Sequence, residues 1–128
     1  MTFFQISLLL IALLVIYSII KRYITTRGLN NYEPNEVKEK IKDSLNVILL
    51  DVRTAAERKN QSIKGSFHIP LQELGRRSEE LKKFRNKEII CYCQSGNRSV
   101  AAAAKLKKLG FNSANMRGGI TKWNFSNK

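Results

Sequence analysis

Residues 89–99 have the sequence IICYCQSGNRS, and this stretch decides how the rest of the chain is interpreted. The first five residues form a short apolar run, which is typical of a strand covered on both faces of a parallel sheet. The polar residues and glycine that follow predict a compact loop. Ser99 can then N-cap a helix that we expect to reach Leu109, because four consecutive alanines, strong helix formers, lie within it. The stretch therefore predicts a strand, a cysteine at its end, a loop and a helix.

The same alternation of strand and helix extends to both sides. Pro34 suits the first turn of a helix that ends near Lys42, and Thr54 and Glu57 have the spacing of a helix capping box. The other predicted elements are a buried strand at 46–52, a brief strand within 65–70, a basic helical stretch at 71–84, an edge strand at 113–116 and a short helix at 118–123. This order predicts an α/β domain with a central parallel sheet flanked by helices.

The N-terminal segment differs from the rest of the chain. Residues 3–20 carry no charge, proline or glycine, and a helix of that length spans roughly 27 Å, close to the hydrocarbon thickness of a bilayer. We therefore predict a transmembrane anchor at 1–23, a polar linker at 24–31 and a domain at 32–126. A cleavable signal peptide is the poorer interpretation, since no small-residue cleavage site follows the run. A buried core helix is also disfavoured, since the run has no polar face.

Basic residues directly after the apolar run predict the orientation. Lys21, Arg22 and Arg27 follow it, and an excess of basic residues marks the cytoplasmic side of a membrane span. We expect a single-pass protein of the cell membrane with its domain in the cytoplasm.

The chain has a formal net charge of +13, and its charge is unevenly distributed. Residues 89–128 contain seven basic and no acidic residues. Such a surface favours anionic lipid headgroups or small anionic substrates. No nucleic-acid-binding signature accompanies the charge, so we do not expect a nucleic-acid partner.

The two cysteines limit the possible chemistry. Cys91 and Cys93 are too few for a disulfide framework, and together with the single histidine, His68, they are too few for a metal site. We therefore expect no metal and no cofactor. Cys91 lies within the apolar run and is interpreted as a structural thiol, whereas Cys93 borders the polar loop and is the candidate nucleophile.

The loop after Cys93 has the properties of an anion cradle. Backbone N–H groups that lead into a helix N-terminus can surround a common centre, and Arg98 adds a positive charge. These features favour the thiolate, the nucleophilic form of cysteine. The candidate catalytic residues are Cys93 and Arg98, and the candidate substrate-binding residues are Gln94, Ser95, Gly96, Asn97, Arg98 and Ser99.

Four segments in order resemble the rhodanese family. The loop at 93–99 resembles the family's active-site loop, and 51–53, Asp-Val-Arg, resembles an upstream motif. Residues 65–70 resemble its Gly-x-x-His-Ile-Pro segment, and 117–120 with Trp123 resemble its C-terminal signature. Together with the apolar segment, the chain resembles the single-domain rhodanese-like proteins of bacterial membranes.

The resemblance implies a sulfurtransferase in which Cys93 carries sulfur as a persulfide. Thiosulfate or a persulfide would be the donor, and cyanide, a thiol or a protein cysteine the acceptor. Asp51 and Arg53 are expected to support the fold or brace the loop, and His68 is expected to be a hydrogen-bonded structural residue.

Three alternatives remain open at this stage. The first is a membrane-tethered rhodanese module that binds or senses a partner without turnover. The second is phosphatase or arsenate-reductase chemistry, which is disfavoured because Cys-x5-Arg phosphatases carry a loop one residue longer than Cys93 through Arg98. The third is a redox relay in which Cys91 resolves Cys93, which the predicted burial of Cys91 opposes.

Overall fold

The fold was obtained as a computed structural model that describes residues 1–43 and 45–125. Strands and helices alternate as the sequence predicts. The strands are β1 (Asn30–Tyr32), β2 (Val47–Asp51), β3 (Phe67–His68), β4 (Glu88–Tyr92) and β5 (Ser113–Met116). The α-helices are α1 (Phe3–Thr26), α2 (Pro34–Asp43), α3 (Ala55–Asn60), α4 (Leu74–Arg77), α5 (Asn97–Lys108) and α6 (Gly119–Phe125). The predicted end of the domain, residue 126, lies outside the described residues.

The five strands form one parallel sheet in the order β1-β5-β4-β2-β3. This confirms the predicted α/β fold with a central parallel sheet. β4 is the middle strand, and its alternating side chains enter two hydrophobic cores on opposite faces of the sheet. Ile89, Cys91 and Cys93 belong to one core, while Ile90 and Tyr92 belong to the other. The end of β4 is therefore held by the neighbouring strands β2 and β5 and by a hydrophobic core on each face of the sheet.

Local sequence accounts for the starts and ends of several helices. Thr54 and Glu57 form the capping box predicted at the start of α3, with each side chain accepting a hydrogen bond from the other residue's backbone N–H. Gly110 follows α5 with a φ of 91°, the left-handed conformation that glycine adopts most readily after a helix. Trp123 of α6 is half-buried and packs against the core that contains Tyr92.

The predicted edge strand at 113–116 is not at an edge. β5 lies between β4 and β1, and β1 pairs with its outer side through Asn30–Ala114 and Tyr32–Met116. All four residues of β5 are buried, as expected for an interior strand. The physical reason is β1, whose first two residues lie in the stretch 24–31 that was predicted to be a linker.

The stretch predicted as a linker, 24–31, contains more regular structure than expected. Helix α1 continues to Thr26, and β1 begins at Asn30. Leu29 between them is buried in the core that contains Cys93. The basic stretch 71–84 also differs from one continuous helix, because it consists of two 3-10 segments, Leu71–Glu73 and Ser78–Phe84, on either side of α4.

Helix α1 has 24 residues and is long and apolar enough to cross a membrane. None of its residues is buried, so α1 is not part of either core. Its C-terminal end lies beside α5, where the two helices border a cavity of about 730 Å³. Lys21 and Arg22 from α1 and Lys105 and Lys108 from α5 are among the residues that line it.

Candidate active site

Cys93 lies directly after the last residue of β4, at the carboxyl end of the central strand. The chain then turns tightly, with Gly96 at a φ of 108°, and α5 begins at Asn97. This turn directs the backbone N–H of Gly96 at the Cys93 Sγ, which accepts its hydrogen bond at 3.0 Å. The Ser99 hydroxyl oxygen lies 3.4 Å from the same sulfur. The groups of the predicted anion cradle therefore surround the sulfur of Cys93.

The predicted role of Ser99 as an N-cap is wrong. Gly96 occupies the cap position, and Ser99 lies in the first turn of α5, fully buried. The tight turn at Gly96 starts the helix earlier than the polarity of the loop suggests. The Ser99 side chain instead points towards the Cys93 sulfur, so Ser99 belongs to the site through its hydroxyl group.

Hydrogen bonds determine the ionisation of Cys93. Burial by itself would raise the pKa of the Cys93 thiol, but the Ser99 hydroxyl and the backbone N–H groups of Ser99, Gly96 and Ser95 outweigh it. The pKa of Cys93 is therefore lowered, because these donors stabilise the thiolate. Cys91 lies two residues earlier and lacks such donors, and burial raises the pKa of its thiol. This supports the interpretation of Cys91 as a structural thiol.

A chain of polar side chains extends from Cys93 to the edge of the sheet. The Ser99 hydroxyl lies 2.6 Å from the Asn115 Oδ1, and its single proton can be donated either to this oxygen or to the Cys93 sulfur. The Asn115 Nδ2 donates to the Asn31 Oδ1 at 3.0 Å. Asn115 is almost fully buried in β5. Sequence reasoning missed this residue, although a signal was present: an amide within a short strand between apolar residues needs a buried partner.

Arg98 does not point at the sulfur. Its two terminal nitrogens donate to the two carboxylate oxygens of Glu57, at 2.7 and 2.8 Å. This bidentate ion pair raises the pKa of Arg98, and the nearby Cys93 adds a smaller contribution in the same direction. Arg98 therefore borders the cradle and interacts with Cys93 through its charge, while its hydrogen bonds go to Glu57.

Glu57 was recognised from the sequence only as part of a capping box. Its carboxylate also faces the site because α3 follows β2, the strand next to β4. Parallel neighbours place the segments after their carboxyl ends at the same edge of the sheet. That rule is the signal by which Glu57 could have been found.

Asp51 and Arg53 form a buried ion pair beside the loop. Arg53 donates from Nε and Nη2 to the two Asp51 carboxylate oxygens, both at 3.1 Å, and Arg58 and Tyr92 also donate to Asp51. The Arg53 Nη1 lies 3.3 Å from the Gln94 Oε1. The pair thus connects the end of β2 to the loop.

The other predicted structural residue lies beside this pair. The Nε2 of His68 hydrogen-bonds to the backbone carbonyl of Arg53 at 2.8 Å. His68 therefore fixes the backbone that follows β2 and does not contact Cys93 through that nitrogen.

The start of α6 packs directly against the loop. The backbone N–H of Ile120 donates to the Cys93 carbonyl at 2.9 Å, and Thr121 donates to the Gln94 carbonyl from its hydroxyl at 3.0 Å. Gly119 has a φ of 62°, and a Cβ at this position would overlap the carbonyl oxygens of Cys93 and Gln94. A glycine is therefore required for the loop and α6 to approach this closely.

The loop residues differ in their exposure. Cys93 is fully buried and Gly96 is buried, whereas Gln94, Ser95 and Asn97 are exposed. Asn97 also lines the cavity between α1 and α5. The fold therefore brings Cys93, Gly96 and Ser99 into contact and leaves the remaining side chains at the rim.

A family model described as the rhodanese-like domain matches residues 33–126 of the chain. The chain belongs to the rhodanese-like domain family. The four sequence segments that resemble the family lie at or directly after β2, β3, β4 and β5, and the rhodanese domain occupies nearly all of the chain after α1.

Relatives of this rhodanese domain include named sulfurtransferases. The chain is 33% identical over 95 residues to a sulfurtransferase of Allochromatium vinosum, with 73% of this chain and 87% of the relative covered. It is also 33% identical over 87 residues to the putative sulfurtransferase YtwF of Bacillus subtilis, with 68% and 82% covered. These similarities support a sulfurtransferase-type enzyme at the level of the family.

Solved structures support the same assignment. A rhodanese-related protein of Thermoplasma volcanium is 34% identical and has a TM-score of 0.69, with 76% of this chain and 92% of that chain covered. A rhodanese-like domain protein of Staphylococcus aureus is 25% identical and has a TM-score of 0.69, with 74% and 91% covered. In both comparisons the similarity extends over nearly the whole of the solved chain.

Proposed function

We propose that this protein is a sulfurtransferase in which Cys93 carries sulfane sulfur as a persulfide. The observation that carries the proposal is the set of hydrogen bonds that converge on the Cys93 sulfur, from the Gly96 N–H and the Ser99 hydroxyl. They lower the pKa of a buried thiol and so favour the nucleophilic thiolate. A cysteine that only packs in a core needs no such donors, as Cys91 shows.

The reaction has two steps. In the first, the Cys93 thiolate attacks the outer sulfur of the donor, a sulfur–sulfur bond forms to Cys93, and the bond within the donor breaks. The remainder of the donor leaves as sulfite when the donor is thiosulfate, and as a thiol or thiolate when the donor is an alkyl persulfide. In the second step, cyanide or a thiolate attacks the outer sulfur of the Cys93 persulfide and releases the Cys93 thiolate. The electron pair of the broken bond stays with the departing sulfur in each step.

The residues around Cys93 have separable roles in this reaction. The cradle stabilises negative charge on Cys93 before the attack, and its backbone N–H groups are positioned for the charged persulfide afterwards. Gln94, Ser95 and Asn97 form the rim that a donor meets first. Arg98 borders the cradle in its ion pair with Glu57, and Asp51 and Arg53 hold the loop in place.

Sulfur transfer can be tested directly by intact-protein mass spectrometry. Full-length protein in detergent would be incubated with thiosulfate or glutathione persulfide, then desalted and weighed beside a Cys93→Ser variant. We expect a one-sulfur adduct on the wild type only, and we expect cyanide to remove it with release of thiocyanate. Absence of the adduct with both donors would overturn the sulfurtransferase proposal and favour a binding module.

We also propose that α1 anchors the domain to the cell membrane as a single pass, with the rhodanese domain on the cytoplasmic side. The length and apolar surface of α1 support the anchor, and Lys21, Arg22 and Arg27 at its C-terminal end support the orientation. The partners would then be a small sulfur donor and a thiol, cyanide or protein-thiol acceptor, with no nucleic acid.

Fractionation and protease access test this location. The full-length protein should stay in membranes washed with high salt and carbonate, and the domain should be digested in inverted vesicles but not in intact cells. Release by the washes would rule out the span, and digestion in intact cells would reverse the orientation.

A further inference from the structure

The charge of Arg98 is neutralised at the site by a residue from another part of the fold. Both oxygens of Glu57 accept hydrogen bonds from the Arg98 guanidinium, and both side chains are only about one-third exposed. The hydrogen bond from Arg98 is the main cause that lowers the pKa of Glu57 to about 2, so Glu57 is ionised at neutral pH. The pair therefore carries no net charge under those conditions.

Glu57 is held in place independently of Arg98. Its Oε1 accepts hydrogen bonds from the Thr54 N–H at 3.2 Å and the Thr54 hydroxyl at 3.1 Å, while the Thr54 hydroxyl accepts one from the Glu57 N–H. This capping box fixes the carboxylate on the first turn of α3. The negative charge beside the cradle is therefore part of the scaffold, and Arg98 pairs with a carboxylate that is already in position.

The loop itself provides no replacement for the neutralised charge. Arg98 is the only charged residue in 93–99. Arg53, whose side chain reaches Gln94, is almost fully buried, and its charge is paired with that of Asp51. Within the loop, a donor that approaches Cys93 thus meets uncharged side chains and the Arg98–Glu57 ion pair.

From this arrangement we infer that Glu57 is a specificity-determining residue that favours persulfide donors over thiosulfate. Thiosulfate carries two negative charges on a small group, whereas the reacting end of an ionised persulfide carries one. Neutralising Arg98 removes more attraction from the more highly charged donor than from the less charged one, because the Coulomb energy scales with the charge. The inference rests on the proposed sulfurtransferase function and specifies the donor class for the same site.

The Glu57→Gln variant removes the charge and keeps the fold. Glutamine can serve at this position of a capping box, so α3 should begin as before. With Arg98 no longer neutralised, we expect the kcat/KM for thiosulfate, divided by that for glutathione persulfide, to rise about tenfold, mainly through a lower KM for thiosulfate. Both rates would be measured on full-length protein in detergent.

Two further variants show whether the change acts through Arg98. Glu80→Gln also breaks an ion pair with an arginine, since Glu80 pairs with Arg77 at the end of α4, and it should leave the ratio unchanged. In the double variant Glu57→Gln/Arg98→Gln, the gain should disappear. A ratio within twofold of the wild type in Glu57→Gln, or an equal gain in the double variant, would overturn the inference.

Salt dependence offers a second test. Removing the carboxylate leaves Arg98 as an unpaired cation, so the kcat/KM for thiosulfate should fall more steeply with added salt, up to roughly 0.5 M, in Glu57→Gln than in the wild type. Equal slopes in the two proteins would contradict the inference. If neither donor forms an adduct on Cys93, the proposed function itself fails, which is a different result from an unchanged ratio.

Discussion

The interior of β4 and the loop that follows it place two cysteines in opposite chemical states. Cys91 and Cys93 are two residues apart, face the same core and are both fully buried. Yet the pKa of the Cys91 thiol is raised and that of the Cys93 thiol is lowered. Burial is common to both, so burial alone does not determine the reactivity of a thiol here.

The difference lies in where the nearby backbone N–H groups are directed. Around Cys91 the backbone pairs with β2 and β5, so its N–H groups are used within the sheet. Cys93 lies just beyond the paired residues, and the turn at Gly96 directs free N–H groups at its sulfur. A thiol with a lowered pKa is thus obtained by ending a strand one residue before the cysteine.

The strongest test of this comparison exchanges the nucleophile. Cys93→Ser should lower thiocyanate formation by at least about a thousandfold, because a serine hydroxyl in a cradle made for a thiolate stays protonated. The measurement is steady-state turnover with thiosulfate or glutathione persulfide and cyanide. Substantial residual turnover in Cys93→Ser would show that Cys91 can replace it, and the contrast between the two thiols would not hold.

A second test disturbs the contact between the start of α6 and the loop that follows Cys93. Gly119→Ala would place a Cβ against the carbonyl oxygens of Cys93 and Gln94 and impose strain at a φ of 62°. We expect a loss of about 2 kcal/mol or more in unfolding free energy and a marked loss of Cys93 alkylation at neutral pH. Calorimetry and iodoacetamide labelling measure the two effects.

Gly110→Ala is the matched control for this substitution. Its φ is 91°, but a Cβ there meets nothing within 4 Å. It should therefore lower stability through strain and leave the alkylation of Cys93 unchanged. Equal effects of both variants on alkylation would argue against a specific contact between Gly119 and the site.

A third test removes one donor from the cradle. Ser99→Ala deletes a hydroxyl that stabilises the thiolate, so the pKa of Cys93 should rise by about one unit. Because a raised pKa moves thiolate formation to higher pH, the rate of alkylation at pH 6 to 7 should fall about tenfold and recover at alkaline pH. The pH profile of iodoacetamide labelling gives the midpoint. Ser95→Ala serves as the control because Ser95 contributes its backbone N–H, and its midpoint should not move.

The smallest effect on the site is expected from the other cysteine. Cys91→Ala leaves a small cavity in the core and should cost about 1–2 kcal/mol of unfolding free energy. Turnover and the pH profile of Cys93 labelling should stay within twofold of the wild type. A large loss of turnover at unchanged fold would revive the redox relay between the two thiols.

The sequence was sufficient for the elements that depend on local patterns. The apolar runs predicted β2 and β4, and the Thr54–Glu57 spacing predicted the start of α3. The position of Cys93 at the end of β4 followed from the same reasoning, because a change from apolar to polar residues marks the end of a buried strand.

Features that depend on distant residues were missed. The placement of β5 inside the sheet requires β1, whose two asparagines, Asn30 and Asn31, carry no strand signal of their own. The direction of the Arg98 side chain is set by Glu57, 41 positions away. The hydrogen bond from Ser99 to Asn115 likewise connects two elements. A local sequence pattern could not predict these three contacts, because in each of them the partner residue is brought close only by the fold.

The short connection between α1 and the sheet limits how far the domain can travel. Only residues 27–29 separate Thr26 from Asn30, a reach of about 10 Å, and Leu29 among them is packed in the core. In the proposed anchored state, Cys93 stays within a thin layer next to the bilayer. An acceptor confined to the same membrane would meet it by diffusion in two dimensions and at a high effective concentration, whereas a soluble acceptor would have to come to the membrane surface.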